Sequence, residues 1–121
     1  MKKLIRSFGY AFNGLAYATK TQLNFRVHLV ASLLACFLGY ALQVATVEWM
    51  WIVACIAIVL MAELFNTALE FLVDLVSPDY NELAGRVKDV AAGAVVVAAV
   101  FAVIEGLIIF LPKILALTYA A

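Results

Sequence analysis

Residues Val47 to Asp74 read VEWMWIVACIAIVLMAELFNTALEFLVD. After Glu48 this stretch runs uncharged to Ala62. It then stays apolar but is punctuated by Glu63, Asn66, Thr67, Glu70 and Asp74. An apolar run of that length can cross about 30 Å of hydrocarbon as a helix. Lipid cannot satisfy exposed backbone polar groups, so a helix is expected rather than a strand.

The flanking sequence extends the same reading. A second apolar run covers 27–44, broken only by His28 and Gln43, and a third covers 90–111 with one charge, Glu105. Three transmembrane helices are therefore expected, at 27–44, 47–76 and 90–111, with Pro112 and Lys113 ending the last. In residues 1–25, Lys2, Lys3, Arg6 and Lys20 alternate with Leu4, Ile5, Phe8, Phe12 and Leu15. Apolar recurrence at three- and four-residue spacing predicts an amphipathic helix lying in the membrane interface.

Composition agrees. The chain has 121 residues, of which 68% are hydrophobic and 13% charged, with a mean hydropathy of +1.10. So small a chain has too little interior to hide that much apolar surface from water, which excludes a soluble monomer. Disorder and a disulfide-stapled secreted module are excluded too. Eight basic residues balance eight acidic ones, so no positive excess invites nucleic acid. Cys36 and Cys55 lie within apolar runs and read as small buried residues.

Basic residues set the orientation. Lys2, Lys3, Arg6, Lys20 and Arg26 precede the first span, and Arg86 and Lys88 lie between the second and third. Lysine and arginine stay in the cytoplasm. The N-terminus and the segment 77–89 are thus expected there, in a multi-pass membrane protein, with the C-terminus outside. Trp49 and Trp51 then fall near the opposite interface. Ser77-Pro78-Asp79 reads as a turn, with Asp79 a candidate cap for the next helix. Ala94, Ala98, Ala102 and Gly106 recur every four residues, as in a close-packing seam.

The acidic stripe carries the chemistry. At 100° per residue, Glu70 lies about 20° from Glu63 around the helix and Asp74 about 20° on the other side. Glu63 and Glu70 are about 10 Å apart along the axis. Carboxylates at membrane depth cost several kcal/mol each unless paired, hydrated or bound to a cation. The plain alternative is that they fix helix packing by hydrogen bonds, with Asp74 simply the wet end. Glu82 and Arg86 form a helix-surface pair at four-residue spacing. Lys88 and Asp89 stand where a cation can meet phosphate and a carboxylate can help hold Mg²⁺, or where lysine merely signals topology. His28 reads as a polar packing residue. No Gly-rich phosphate loop is present.

Together, Glu63-Leu-Phe-Asn66-Thr-Ala-Leu-Glu70 with Asp74, and Glu82-Leu-Ala-Gly85-Arg86-Val-Lys88-Asp89, resemble the signature of the small bacterial membrane lipid kinases, the prokaryotic diacylglycerol kinases and their undecaprenol kinase relatives. Thr21 to His28 and Ile108 to Lys113 resemble them as well. The resemblance implies an all-α homotrimeric bundle with shared active sites, phosphorylating a lipid alcohol with ATP and Mg²⁺. It implies Glu63 as general base and Asn66 beside it. It also implies Glu70 as metal ligand, and nucleotide contacts from Lys3, Tyr10, Asp79, Tyr80, Asn81, Lys88 and Asp89. The family's second metal ligand is a Glu where this chain has Gln22, whose carbonyl brings no charge. Glu105 departs from the pattern and receives no catalytic role. Phe25 to His28 and the Ile-Phe-Leu-Pro-Lys ending resemble the undecaprenol branch, with diacylglycerol the second choice. A non-catalytic transporter or assembly subunit is the alternative class, with the stripe as an ion path.

Overall fold

The computed structural model describes residues 1–119. Four helices follow one another: α1 Lys2–Thr21, α2 Leu23–Ala41, α3 Thr46–Val76 and α4 Glu82–Tyr119. The last three are long and apolar enough to cross a membrane. Large apolar side chains such as Leu33, Phe37, Val97 and Ile108 cover their outer faces and are exposed, as lipid-facing residues of a spanning bundle are.

α1 and α2 meet at a sharp joint. Gln22 is extended, with φ −102° and ψ 112°, so the helical ladder breaks there. Arg26 reaches back from α2 and its Nη1 donates to Lys20 O at 3.0 Å, satisfying a carbonyl that the end of α1 leaves without a partner. Tyr17 of α1 meets Phe71 of α3 edge-on, with ring centroids 5.7 Å apart. Ala18 is buried at this joint, while Leu4, Ile5, Phe8 and Phe12 are exposed.

The turn from α2 to α3 closes a Schellman motif. Val44 N donates to Gly39 O at 3.1 Å and Gln43 N to Tyr40 O at 3.2 Å, which satisfies end carbonyls of α2. Gln43 takes the left-handed position, φ 49°, where glycine is the usual occupant. Val44 is buried with Ile52 of α3 and Ile109 of α4. A side chain on Gly39 would put its Cβ 2.9 Å from Trp49 Cη2, so the absence of a side chain lets α2 approach α3.

α3 packs along most of α4. Its buried line is Ile52, Cys55, Val59, Glu63, Asn66 and Thr67, a helical stripe that turns from apolar to polar partway along. At the start of α3, Glu48 Oε2 accepts from Ala45 N at 2.6 Å and pairs with Lys113 Nζ of α4 at 3.0 Å. Glu82 and Arg86 form the expected pair at 2.6 Å. Both cysteines are free, Cys55 buried and Cys36 half-buried.

Several sequence expectations are corrected. Pro112 does not end the third span, since α4 runs through it to Tyr119. A proline removes one backbone hydrogen bond, a loss that membrane helices tolerate, and the Lys113–Glu48 pair holds the continuation against α3. The cap of α4 is Asn81 rather than Asp79: Asn81 Oδ1 accepts from Ala84 N at 3.1 Å. α2 begins at Leu23, before the expected 27, and α1 ends at Thr21, before the expected 25. The buried residues of α4 are Ala91, Val95, Ala98 and Ile109. Of the expected seam, Ala98 is buried, Ala102 and Gly106 are half-buried and Ala94 is exposed.

Candidate active site

The buried polar side chains among the described residues are Glu63, Asn66 and Thr67, all on α3. Burial falls along the acidic stripe. Glu63 is 2% exposed, Glu70 is half-buried and Asp74 exposed. Counting from Glu48, helix rise puts Glu63 about 22 Å along α3 and Glu70 about 33 Å along. Against a hydrocarbon layer of about 30 Å, an upright α3 carries Glu63 inside the far boundary and Glu70 at it.

Asn66 lies between the two carboxylates in sequence and bonds to one of them. Its Nδ2 donates to Glu70 Oε1 at 3.1 Å. Its Oδ1 and Glu63 Oε1 are both buried with no hydrogen-bond donor. An unpaired polar atom in a dry site is costly, so this pair of bare oxygens is a place for donors from outside the chain. Both residues line a cavity of about 330 Å³ between α2, α3 and α4. Asn24 and His28 complete its polar side, and Ala92, Val95, Val96 and Ala99 of α4 form an apolar wall. The slot thus offers hydrogen-bond acceptors on one side and hydrocarbon on the other, the two halves of a long-chain alcohol.

His28 is placed otherwise than a packing residue would be. Its Nε2 lies 3.3 Å from Glu63 Oε1, within ion-pair range but not aligned to donate. The ring also borders a second cavity, of about 340 Å³, shared with Ser32, Cys55 and Glu105. Sequence reasoning missed this contact: His28 and Glu63 lie on different helices, and no spacing rule joins them.

The remaining predicted residues lie outside this slot. Lys88 Nζ pairs with Asp74 Oδ1 at 2.5 Å, tying α4 to the wet end of the stripe. Asp89, Asp79 and Tyr80 are exposed, as are Lys3 and Tyr10 on α1. Asn81 is committed to its capping bond. Gln22 sits in the α1–α2 joint, where its Nε2 donates to Thr21 Oγ1 at 3.3 Å. Among the described residues no group of three or more His, Cys, Asp or Glu side chains could hold a metal ion. An ion at Glu70 would draw further ligands from phosphate oxygens, water and neutral oxygens such as the Gln22 carbonyl. Magnesium commonly binds that way, through one or two carboxylates plus substrate phosphates, and the half-buried Glu70 fits such a role.

A buried carboxylate on a spanning helix, continued by a second one at the wet end, defines a small multi-span membrane protein with its polar site at the lipid boundary. The family profile described as prokaryotic diacylglycerol kinase matches residues 9–110. The chain is 39% identical over 114 residues to the undecaprenol kinase of Bacillus subtilis, covering 94% of this chain and 93% of that one. It is 46% identical over 118 residues to the diacylglycerol kinase of Synechocystis, covering 94% of this chain and 66% of that protein. It is 34% identical over 102 residues to the diacylglycerol kinase of Escherichia coli, covering 84% of each. The chain belongs to the prokaryotic diacylglycerol kinase family and is a lipid kinase.

Proposed function

We propose that this lipid kinase transfers the γ-phosphoryl group of ATP to undecaprenol, in the bacterial inner membrane, with its N-terminus cytoplasmic and its chains assembled as a homotrimer. The observation that carries the reading is Glu63, buried on a spanning helix with a bare oxygen facing a slot whose other wall is apolar. The match along nearly the full length of an undecaprenol kinase supports the choice of lipid.

In this reading the lipid alcohol enters from the bilayer, its chain against the α4 wall and its hydroxyl toward Glu63. Glu63 takes the hydroxyl proton as the oxygen attacks, the role of a general base. Asn66 Oδ1 accepts a further hydrogen bond, while its amide keeps Glu70 in place. ATP arrives from the cytoplasmic side, where Lys88 and Asp89 stand near its phosphates and Lys3, Tyr10, Asp79, Tyr80 and Asn81 contact the nucleotide. Glu70, with the Gln22 carbonyl, would hold Mg²⁺. That ion, when bound, offsets charge on the phosphoryl group in transfer. α1 lies on the membrane surface, its exposed apolar side chains in the interface.

Diacylglycerol is the second reading, favoured by the 46% identity to the Synechocystis diacylglycerol kinase. The deciding assay offers purified protein undecaprenol and dioleoylglycerol at equal mole fraction in one detergent, with labelled ATP. Labelled undecaprenyl phosphate is expected to dominate. Dominant phosphatidic acid would establish the second reading, and transfer to neither lipid would overturn both.

A further inference from the structure

We propose that His28 is a positioning residue for the reaction: it orients the Glu63 carboxylate and takes up the proton that Glu63 removes from the lipid. This rests on the reading of Glu63 as general base.

Three features of the site converge. His28 Nε2 stands 3.3 Å from Glu63 Oε1, and among the described residues no hydrogen bond reaches that oxygen. The neighbouring amide that could have held it, Asn66 Nδ2, is turned to Glu70 instead. Finally, the two side chains differ in access: His28 is 24% exposed and Glu63 3%. A proton left on Glu63 lies in a dry site; on the imidazole it lies at the border of two cavities. The backbone around His28 is independently fixed, since Ser32 Oγ donates to His28 O at 2.7 Å. Histidine can accept at one ring nitrogen while carrying a proton on the other.

The balance is simple. The lipid oxygen forms a bond to the γ-phosphorus as its proton passes to Glu63. The bond from that phosphorus to the bridging oxygen breaks, and ADP leaves with the electron pair. The proton on Glu63 then moves to Nε2 of neutral His28, whose Nδ1 proton is released to water. The carboxylate is restored and one proton has left the site; the ring is left as its Nε2–H tautomer and returns to the Nδ1–H form by proton exchange with water before the next turnover. The titratable groups that share a cavity with the ring are Glu63 and Cys55 of α3 and Glu105 of α4; α1 lines neither cavity.

The test compares wild type, His28→Gln, His28→Ala and Glu63→Gln as assembled protein in mixed micelles with undecaprenol or dioleoylglycerol. His28→Gln keeps a polar ring-sized group but accepts no proton. It should elute as the wild-type oligomer and lose about 100-fold in kcat, with KM for ATP and lipid changing less than about twofold. Free imidazole should restore His28→Ala at least about tenfold, in proportion to its unprotonated form; this arm decides if His28→Gln fails to assemble. A His28→Gln enzyme with wild-type kcat would overturn the proposal, as would equal losses in both His28 variants with no imidazole rescue. An active Glu63→Gln enzyme would overturn the base assignment itself, and the proton transfer to His28 with it. Inactive Glu63→Gln beside fully active His28→Gln would remove His28 alone.

Discussion

Lys88 Nζ lies 2.5 Å from Asp74 Oδ1, joining the wet ends of α3 and α4 across the connecting segment. The side chains are 38% and 63% exposed, so the pair contributes at most about 1 kcal/mol to stability. Its consequence is positional: a cation proposed to meet phosphate is held one turn beyond Glu70. Asp74→Asn should leave thermal stability within about 1 kcal/mol and raise KM for ATP by about threefold to tenfold, a loss of positioning. Steady-state kinetics against ATP check this. An unchanged KM would separate Lys88 from the nucleotide or Asp74 from its positioning.

Gln22 offers a second, metal-linked test. A carbonyl can ligate Mg²⁺, but a carboxylate adds charge, and ligand charge tunes affinity. Gln22→Glu should lower the Mg²⁺ concentration for half-maximal activity by about threefold or more. A titration that overlays the wild type would remove position 22 from the metal shell.

The α2–α3 turn makes two opposite stability predictions. Gly39→Ala forces Trp49 or the helix to move, since the new Cβ would come within 2.9 Å of the indole, and should destabilise by about 1–3 kcal/mol. Gln43→Gly removes a side chain from a left-handed backbone position and should stabilise by about 1 kcal/mol. Thermal unfolding in detergent, followed by the retained oligomer fraction, reads both.

The three spans were legible because lipid imposes one rule on long apolar runs: helix or nothing. The line from Glu63 to Asp74 was legible for the same reason, since helical period alone puts those residues on one face. What lay beyond local periodicity was not. Pro112 looked like a stop because local propensity says so, yet α4 continues to Tyr119 with Lys113 anchored on Glu48, a contact 65 residues away in sequence. Asn81 and Asp79 are equally good caps by residue type, and the path of the turn chooses Asn81. The meeting of His28 and Glu63 depends on how α2 leans on α3, which no single-helix pattern encodes. The slot's apolar wall likewise arises from α4, and no motif marked it.

Removal of the lipid alcohol's proton by Glu63 is the step on which the proposed reaction rests. Its most direct test is single-turnover phosphoryl transfer by Glu63→Gln, an isosteric change that keeps the shape of the slot and cannot accept the proton. The expected result is a wild-type oligomer with bound nucleotide and a transfer rate lower by about 10²–10⁴-fold. Transfer at near wild-type rate by that protein would contradict it.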